Sequence, residues 1–163
     1  MTYEFVSNRL DYDPETGFFT WKKCRDSGRI GKRPSSLDVS GYLQINICGT
    51  VCKGHRLAWM MVHKEMPKGH IDHINGIRND NRIVNLRCVT GTMNTQNKRL
   101  GSCRNKCGYL GVYEDVRLPE KVRFRAKIQF GKKQLHLGGY PTPELAHEAY
   151  VLAKRKYHEG CTI

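Results

Sequence analysis

Between Gly69 and Asn94 lies the stretch that most restricts what this chain can become. An apolar strand ends at an acid beside a base, Asp72 and His73, and Asn75-Gly76 supplies a turn just beyond them. A polar loop runs on through Arg82, and apolar residues return from Ile83 to Val89 as a second strand. Thr90 then stands where a helix is capped, and places Asn94 in the first turn of that helix. The segment reads as a β-hairpin followed by a helix.

Residue types in that hairpin suit phosphodiester hydrolysis. The reaction needs a water made nucleophilic, a charge sink for the trigonal-bipyramidal phosphate, and help for the leaving 3′ oxygen. His73 offers a base that can take a proton near pH 7. Asp72 and Asn94 offer hard oxygen ligands suited to Mg²⁺ or Mn²⁺. Neighbours on a regular strand point to opposite faces, so Asp72 and His73 share a site only where the strand ends or distorts. Taken singly, each of these residues also reads as an ordinary turn or surface group.

Charge points to a polyanionic partner. The chain of 163 residues carries 28 basic and 15 acidic side chains, a formal net charge of +13. The excess is spread along it, 16 basic against 9 acidic in residues 1–100 and 12 against 6 in residues 101–163. Both halves can therefore face one polyanion, although a basic surface kept for solubility reads the same way from charge alone. Met1 to Glu4 has no basic leader, and the longest apolar run, Leu57 to Val62, is too short to cross a bilayer. A soluble, cytoplasmic protein without a membrane partner is expected. The seven cysteines are odd in number and lie in otherwise patterned segments, which favours reduced thiols. The spacings of Cys48/Cys52 and Cys103/Cys107 are loose for zinc, so structural zinc is not expected.

Taken in order, Asp13 to Gly17 is a turn, Phe18 to Trp21 a short strand, and Lys22 to Pro34 a basic loop that reads equally as solvated or DNA-contacting. Leu43, Ile45 and Ile47 alternate in a strand whose hairpin partner is Val51 to His55. Leu57 to His63 is a short helix entered through His55-Arg56 and ended before Pro67. Residues 95–108 are polar and aperiodic, a linker. Beyond it three strands are expected: Tyr109 to Tyr113, then Phe124, Ala126 and Ile128 alternating with Arg123, Arg125 and Lys127, then Leu135 and Leu137 alternating with Gln134 and His136. Gly131-Lys132-Lys133 turns the last two. Thr142-Pro143 starts a helix whose Ala146, Ala149, Tyr150, Ala153 and Tyr157 share one side, with Gly160 ending it. The alanines bring the helix close to the apolar side of the sheet and leave the basic side free.

The constellation Asp72 to Gly76, Asn79 to Arg82, Asn85-Leu86-Arg87, Thr90 and Asn94 resembles the HNH endonucleases of phages and phage introns. The likeness extends upstream to His55 to Trp59 and to Asp13 to Gly17. It implies a ββα-metal fold with His73 as general base, Asn85 as the amide that braces the loop and orients the base, and Asp72 and Asn94 as ligands of a single Mg²⁺ or Mn²⁺. Asn94 stands where the letter code has a His. His55, Arg56, Arg78, Arg82 and Arg87 become candidate DNA contacts. Residues 108–160 resemble the APETALA/ethylene-response-factor DNA-binding domain through Gly111-Val112-Tyr113, Phe124 to Ile128, Leu137-Gly138 and the Ala-rich helix, although the tryptophans typical of the plant domain are absent. That likeness nominates Arg123, Arg125, Lys127, Lys132, Lys133 and His136 for contact with double-stranded DNA.

The sequence therefore predicts an α+β chain: a nuclease domain over 1–100, a linker over 101–107, and a three-stranded antiparallel sheet packed on one helix over 108–163. The expected function is a metal-dependent DNA endonuclease of homing or other mobile-element type, in phage or bacterial cytosol, monomer or homodimer undecided. The rivals are a DNA-binding regulator that kept the nuclease shape without its chemistry, and an RNA-binding accessory protein.

Overall fold

The computed structural model describes residues 1–97 and 105–162. The chain divides into two compact units, Met1–Gly91 and Thr92–Ile163.

The N-terminal unit contains three antiparallel hairpins: β1 (Leu10–Tyr12) with β2 (Phe19–Trp21), β3 (Gln44–Ile47) with β4 (Thr50–Lys53), and β5 (His70–His73) with β6 (Leu86–Val89). Isolated two-stranded sheets are marginal in water, so each needs a shared core. Val6 from α1 (Tyr3–Ser7), Leu10, Phe19, Trp21, Ile45, Ile47, Ile71 and Leu86 supply it, together with Leu57, Ala58 and Met60 from α2 (Gly54–His63). Burying each large apolar side chain contributes about 1.5–3 kcal/mol. Helix α2 begins earlier than its pattern predicts. Gly54 lies against Leu43, where an added Cβ would come within 2.9 Å, so the chain leaves β4 at Lys53 and turns into the helix there. His55 and Arg56 consequently stand in the first helical turn, and not at the end of a strand.

The expected strand over Ile83 to Val89 is also shorter. Ile83 to Asn85 form a 3₁₀ turn and β6 starts at Leu86. The cause is tertiary: the Ile83 amide donates to the Pro14 carbonyl at 3.1 Å, which holds the chain out of the ladder. After β6, Thr90 directly precedes α3 (Gly91–Gln96).

The C-terminal unit is a three-stranded antiparallel sheet in the order β7 (Val112–Glu114), β8 (Phe124–Phe130), β9 (Lys133–Tyr140), with α4 (Pro143–Tyr157) on its apolar face. Val112, Ala126 and Ile128 pack against Ala146, Tyr150 and Ala153. Thr142 caps α4, its hydroxyl accepting from the Leu145 amide. The helix ends at a cap on His158, two residues before Gly160. Gly160 instead lies where a Cβ would come within 2.5 Å of the Met93 carbonyl, and its amide donates to Gln96, which joins α3 to this unit. Strand β7 omits Tyr109 and Leu110, because Gly111 sits at φ +77 against the Tyr150 ring and breaks the extended run. Arg123 precedes β8 as the cap of a 3₁₀ turn. Of the expected linker, residues 98–104, Cys103 among them, lie outside the described residues. No disulfide joins the described cysteines. Among the described residues no helix is long and apolar enough to cross a membrane.

Candidate active site

Strand β5 runs regularly to His73 and stops there, and the turn that follows is closed by Gly76, which donates to the His73 carbonyl at 2.9 Å and has φ +76. Only glycine takes that conformation cheaply. Alternation along the strand sends Asp72 and His73 different ways. Asp72 faces its cross-strand partner Arg87, whose Nε and Nη2 donate to one carboxylate oxygen at 3.0 and 2.8 Å. His73 turns to the rings of Tyr42, 5.8 Å away, and His55, 5.3 Å away and edge-on. Both members of the acid–base pair are buried, at 7% and 4% exposure.

Burial holds the His73 imidazole below its ordinary pKa of 6.5, against an upward pull from the Asn81 side chain, Asp72 and Asp80. His55, in α2, is driven further, to about 4, by burial and then by its neighbour His73. Both rings are therefore neutral near pH 7, the state in which an imidazole accepts a proton.

The loop between the strands is a closed hydrogen-bond network. The Asn85 side chain donates to the Asp80 carbonyl at 2.9 Å and accepts from the Asn75 amide at 2.9 Å. Asn75 in turn donates to the Asp80 carboxylate at 2.7 Å. Arg82 grips the same carboxylate through Nε and Nη2 at 2.8 and 2.6 Å, and chiefly this lowers the Asp80 pKa to about 2. The β1–β2 hairpin braces the loop from outside. Tyr12 donates to the Asn81 carbonyl at 2.7 Å, and Gly17, at φ +75, lets its turn approach so closely that a Cβ would lie 2.4 Å from the Arg82 nitrogen.

Several expected DNA contacts have local partners. Arg56 donates to the Gly69 and Pro67 carbonyls at 3.2 and 3.1 Å, fixing the approach to β5. Arg82 is held by Asp80 and Arg87 by Asp72. Arg78 is exposed, donates to the Ser40 carbonyl at 2.8 Å and lies over the Tyr42 ring. Tyr42 and Asn81 have no role that the sequence alone discloses. Asn81 lies inside the Asn79-to-Arg82 motif, the one signal that marks it, while nothing local distinguishes Tyr42 from any strand aromatic.

Asp72 is the buried carboxylate among the described residues of the N-terminal unit, and a divalent cation of the magnesium class fits such a donor. Asn94, half-buried, is the fourth residue of α3 and belongs to the C-terminal unit. Among the described residues no three His, Cys, Asp or Glu gather to hold a metal, so any ion here would complete its shell with waters and substrate oxygens.

Residues 52–96 match the HNH endonuclease family model. The matched segment includes His55, Asp72, His73, Asn85 and Asn94 and supports a nuclease acting on DNA. No curated protein and no solved structure matches the chain.

On the C-terminal sheet, Arg125 pairs across the ladder with Tyr113, and Lys127 with His136. The Lys127 ammonium stands 4.8 Å over the Tyr113 ring. Lys132 occupies the β8–β9 turn and Lys133 opens β9, both exposed, as is His136.

Proposed function

We propose that the chain is an endonuclease that hydrolyses one strand of double-stranded DNA at His73, with the C-terminal sheet holding the duplex. The observation that carries this reading is His73 itself. It is a buried imidazole kept neutral, one residue beyond a buried carboxylate, inside the segment that matches the family.

The chain's own groups divide the work. His73 accepts the proton of the attacking water at a ring nitrogen, and the rings of Tyr42 and His55 fix its plane. Asn85, through Asn75 and Asp80, holds the turn that follows His73. Asp72, with Asn94 as the second donor implied by the family resemblance, would hold a Mg²⁺ or Mn²⁺ ion. Such an ion supplies positive charge for the non-bridging and leaving oxygens. Arg78 and the Arg125, Lys127 and His136 face of the sheet bind phosphates and base edges; Arg123, Lys132 and Lys133 flank that face. One such site cuts one strand, so a monomer nicks and a dimer breaks both strands. A homing or other mobile-element role in phage or bacterial cytosol is the biological setting in which this activity fits.

The test is supercoiled plasmid incubated with Mg²⁺, Mn²⁺ or EDTA, resolved into nicked and linear products. Metal-dependent nicking is expected, with His73→Ala slowing it by about two to four decades while binding persists. In the same series Arg125→Ala should weaken duplex binding and lower its salt slope by about one. Near wild-type cutting by His73→Ala would remove that residue from the base role. Binding without cutting in every metal would favour a DNA-binding regulator.

A further inference from the structure

The basic loop after β2 has a defined shape, which an ordinary solvated loop lacks. Its ends are joined by the Trp21 amide donating to the Lys32 carbonyl at 3.1 Å and the Gly31 amide donating to the Trp21 carbonyl at 2.8 Å. The Lys22 and Lys23 amides both donate to the Arg9 carbonyl, and Asp26 caps a 3₁₀ turn at Ser27–Arg29 by accepting from the Gly28 amide at 3.0 Å. The only acid on the loop is thereby occupied with its own backbone.

Six cations stand on or beside this frame: Lys22, Lys23, Arg25, Arg29, Lys32 and Arg33. Among the described residues only Lys22 joins an ion pair, with Asp11 at 3.3 Å. Arg29 lies over the Trp21 ring and Arg33, 3.8 Å from the ring centre, over Phe18, so two guanidinium groups are already placed by aromatic faces. Between the loop and the tip of the β3–β4 hairpin is an open cleft of about 810 Å³, lined by Arg9, Lys23, Arg25 and Arg29 over a Trp21 floor. A second, of about 440 Å³, lies beside it and shares Arg29 and Trp21, with Lys32 and Arg33 on its wall. Apart from Asp26 in the first, every charged residue lining the two clefts is basic, and adjacent clefts so lined concentrate a positive potential.

We infer that these two clefts are a binding site for the sugar-phosphate backbone of duplex DNA, on the flank of the cut. The inference rests on the nuclease reading for the identity of the duplex and for the place of the cut. From Tyr42, beside His73, the chain runs through β3 to the hairpin tip at Cys48, a span of at most roughly 20 Å at about 3.3 Å per residue. For a duplex lying along β3, at about 3.4 Å per base step, the bound phosphates fall within roughly six base pairs of the nick. The loop thereby gives the nuclease unit its own grip on DNA, independent of the C-terminal sheet.

The experiment uses the full chain and a labelled duplex in EDTA, with affinity measured over a range of salt and protection mapped by hydroxyl-radical footprinting. Replacing Lys23→Gln, Arg25→Gln and Arg29→Gln together should lower the magnitude of the log–log salt slope by about two to three, near 0.9 for each phosphate that is no longer neutralised. Protection should disappear to one side of the nick, within about six base pairs of it. Arg25→Gln alone, an exposed side chain with no hydrogen bond among the described residues, should lower the slope by about one and decides the matter if the triple variant melts early. A slope and footprint equal to wild type overturn the inference. So does tighter binding of single-stranded RNA at equal salt, with the variants losing RNA more than DNA. Wild-type nicking with an unchanged slope sinks this inference alone, whereas slope loss in a protein that never nicks sinks only the catalytic reading.

Discussion

Asn85 separates bracing from chemistry, and Asn85→Ala tests it. The side chain is buried, at 6% exposure, and makes two hydrogen bonds of 2.9 Å that tie the two ends of the loop together. Truncation leaves the Asn75 amide and the Asp80 carbonyl without those partners. Each loss costs about 1–3 kcal/mol where water is excluded. Asn75 and Asp80 are half-buried, so water recovers part of this, and a total of about 2–3 kcal/mol is expected. For a unit of this size that lowers the melting temperature by roughly 8–20 °C. The assay is unusually clean, because both tryptophans, Trp21 and Trp59, lie in the N-terminal unit, and fluorescence excited selectively at tryptophan therefore reports its unfolding alone. Asn85→Asp keeps the acceptor for Asn75 but loses the donor to Asp80 and adds negative charge beside a carboxylate, so it should melt at least as early. A shift below about 3 °C, well short of the expected loss, combined with a fall in nicking of several decades, would refute the bracing role and give Asn85 a direct part in the chemistry.

Two further outcomes follow from the same unit. Arg87→Gln removes the guanidinium that occupies an Asp72 oxygen, and Mn²⁺ binding followed by electron paramagnetic resonance should tighten by roughly 5- to 30-fold, the effect of about 1–2 kcal/mol of screened repulsion between competing cations; weaker binding would mean that Arg87 positions Asp72 for the ion. Asp80, held at about 2 by Arg82 and then Asn75 against its ordinary 3.8, contributes stability that is complete above its unfolded pKa and is lost as pH falls through its folded one. Tryptophan-detected melts of Asp80→Asn should therefore begin lower at neutral pH and fall less steeply than wild type between about pH 4 and 2, and parallel curves would contradict this.

What the sequence discloses divides along the range of the forces involved. Asn75-Gly76 announces its turn because the left-handed conformation at Gly76 is a local demand that few residues meet. The alternation of Ala126 and Ile128 against Arg125 and Lys127 announces both faces of β8, since a strand with one buried side must repeat every second residue. Ile83 misleads for the opposite reason. Its apolar side chain belongs to a strand pattern, but a carbonyl from Pro14, far away in sequence, takes its amide. Gly54 misleads similarly, because the helix starts where Leu43 leaves no room for a Cβ. Arg56, Arg82 and Arg87 look like free cations, as every arginine does in a sequence, and only the fold shows the carbonyls and carboxylates that hold them.

The same contrast accounts for the acidic turn near the N-terminus. The Asp13 carboxylate is taken up within its own turn, accepting from the Glu15 amide and the Thr16 hydroxyl, yet Asp13 to Gly17 belongs to the pattern that resembles the nuclease family. Its role is mechanical. The Pro14 carbonyl, the Gly17 backbone and the Tyr12 hydroxyl meet the Asn81-to-Ile83 segment along three consecutive residues, so that segment cannot shift without opening the β1–β2 hairpin. Asn81 is also the side chain that favours a proton on His73, and Asn85, two residues past Ile83, anchors the turn that follows it. A two-stranded sheet such as β5–β6 holds its shape poorly alone, and positioning a base to a fraction of an ångström requires more than a ladder of four pairs. The N-terminal hairpin supplies the missing support from a distant part of the chain.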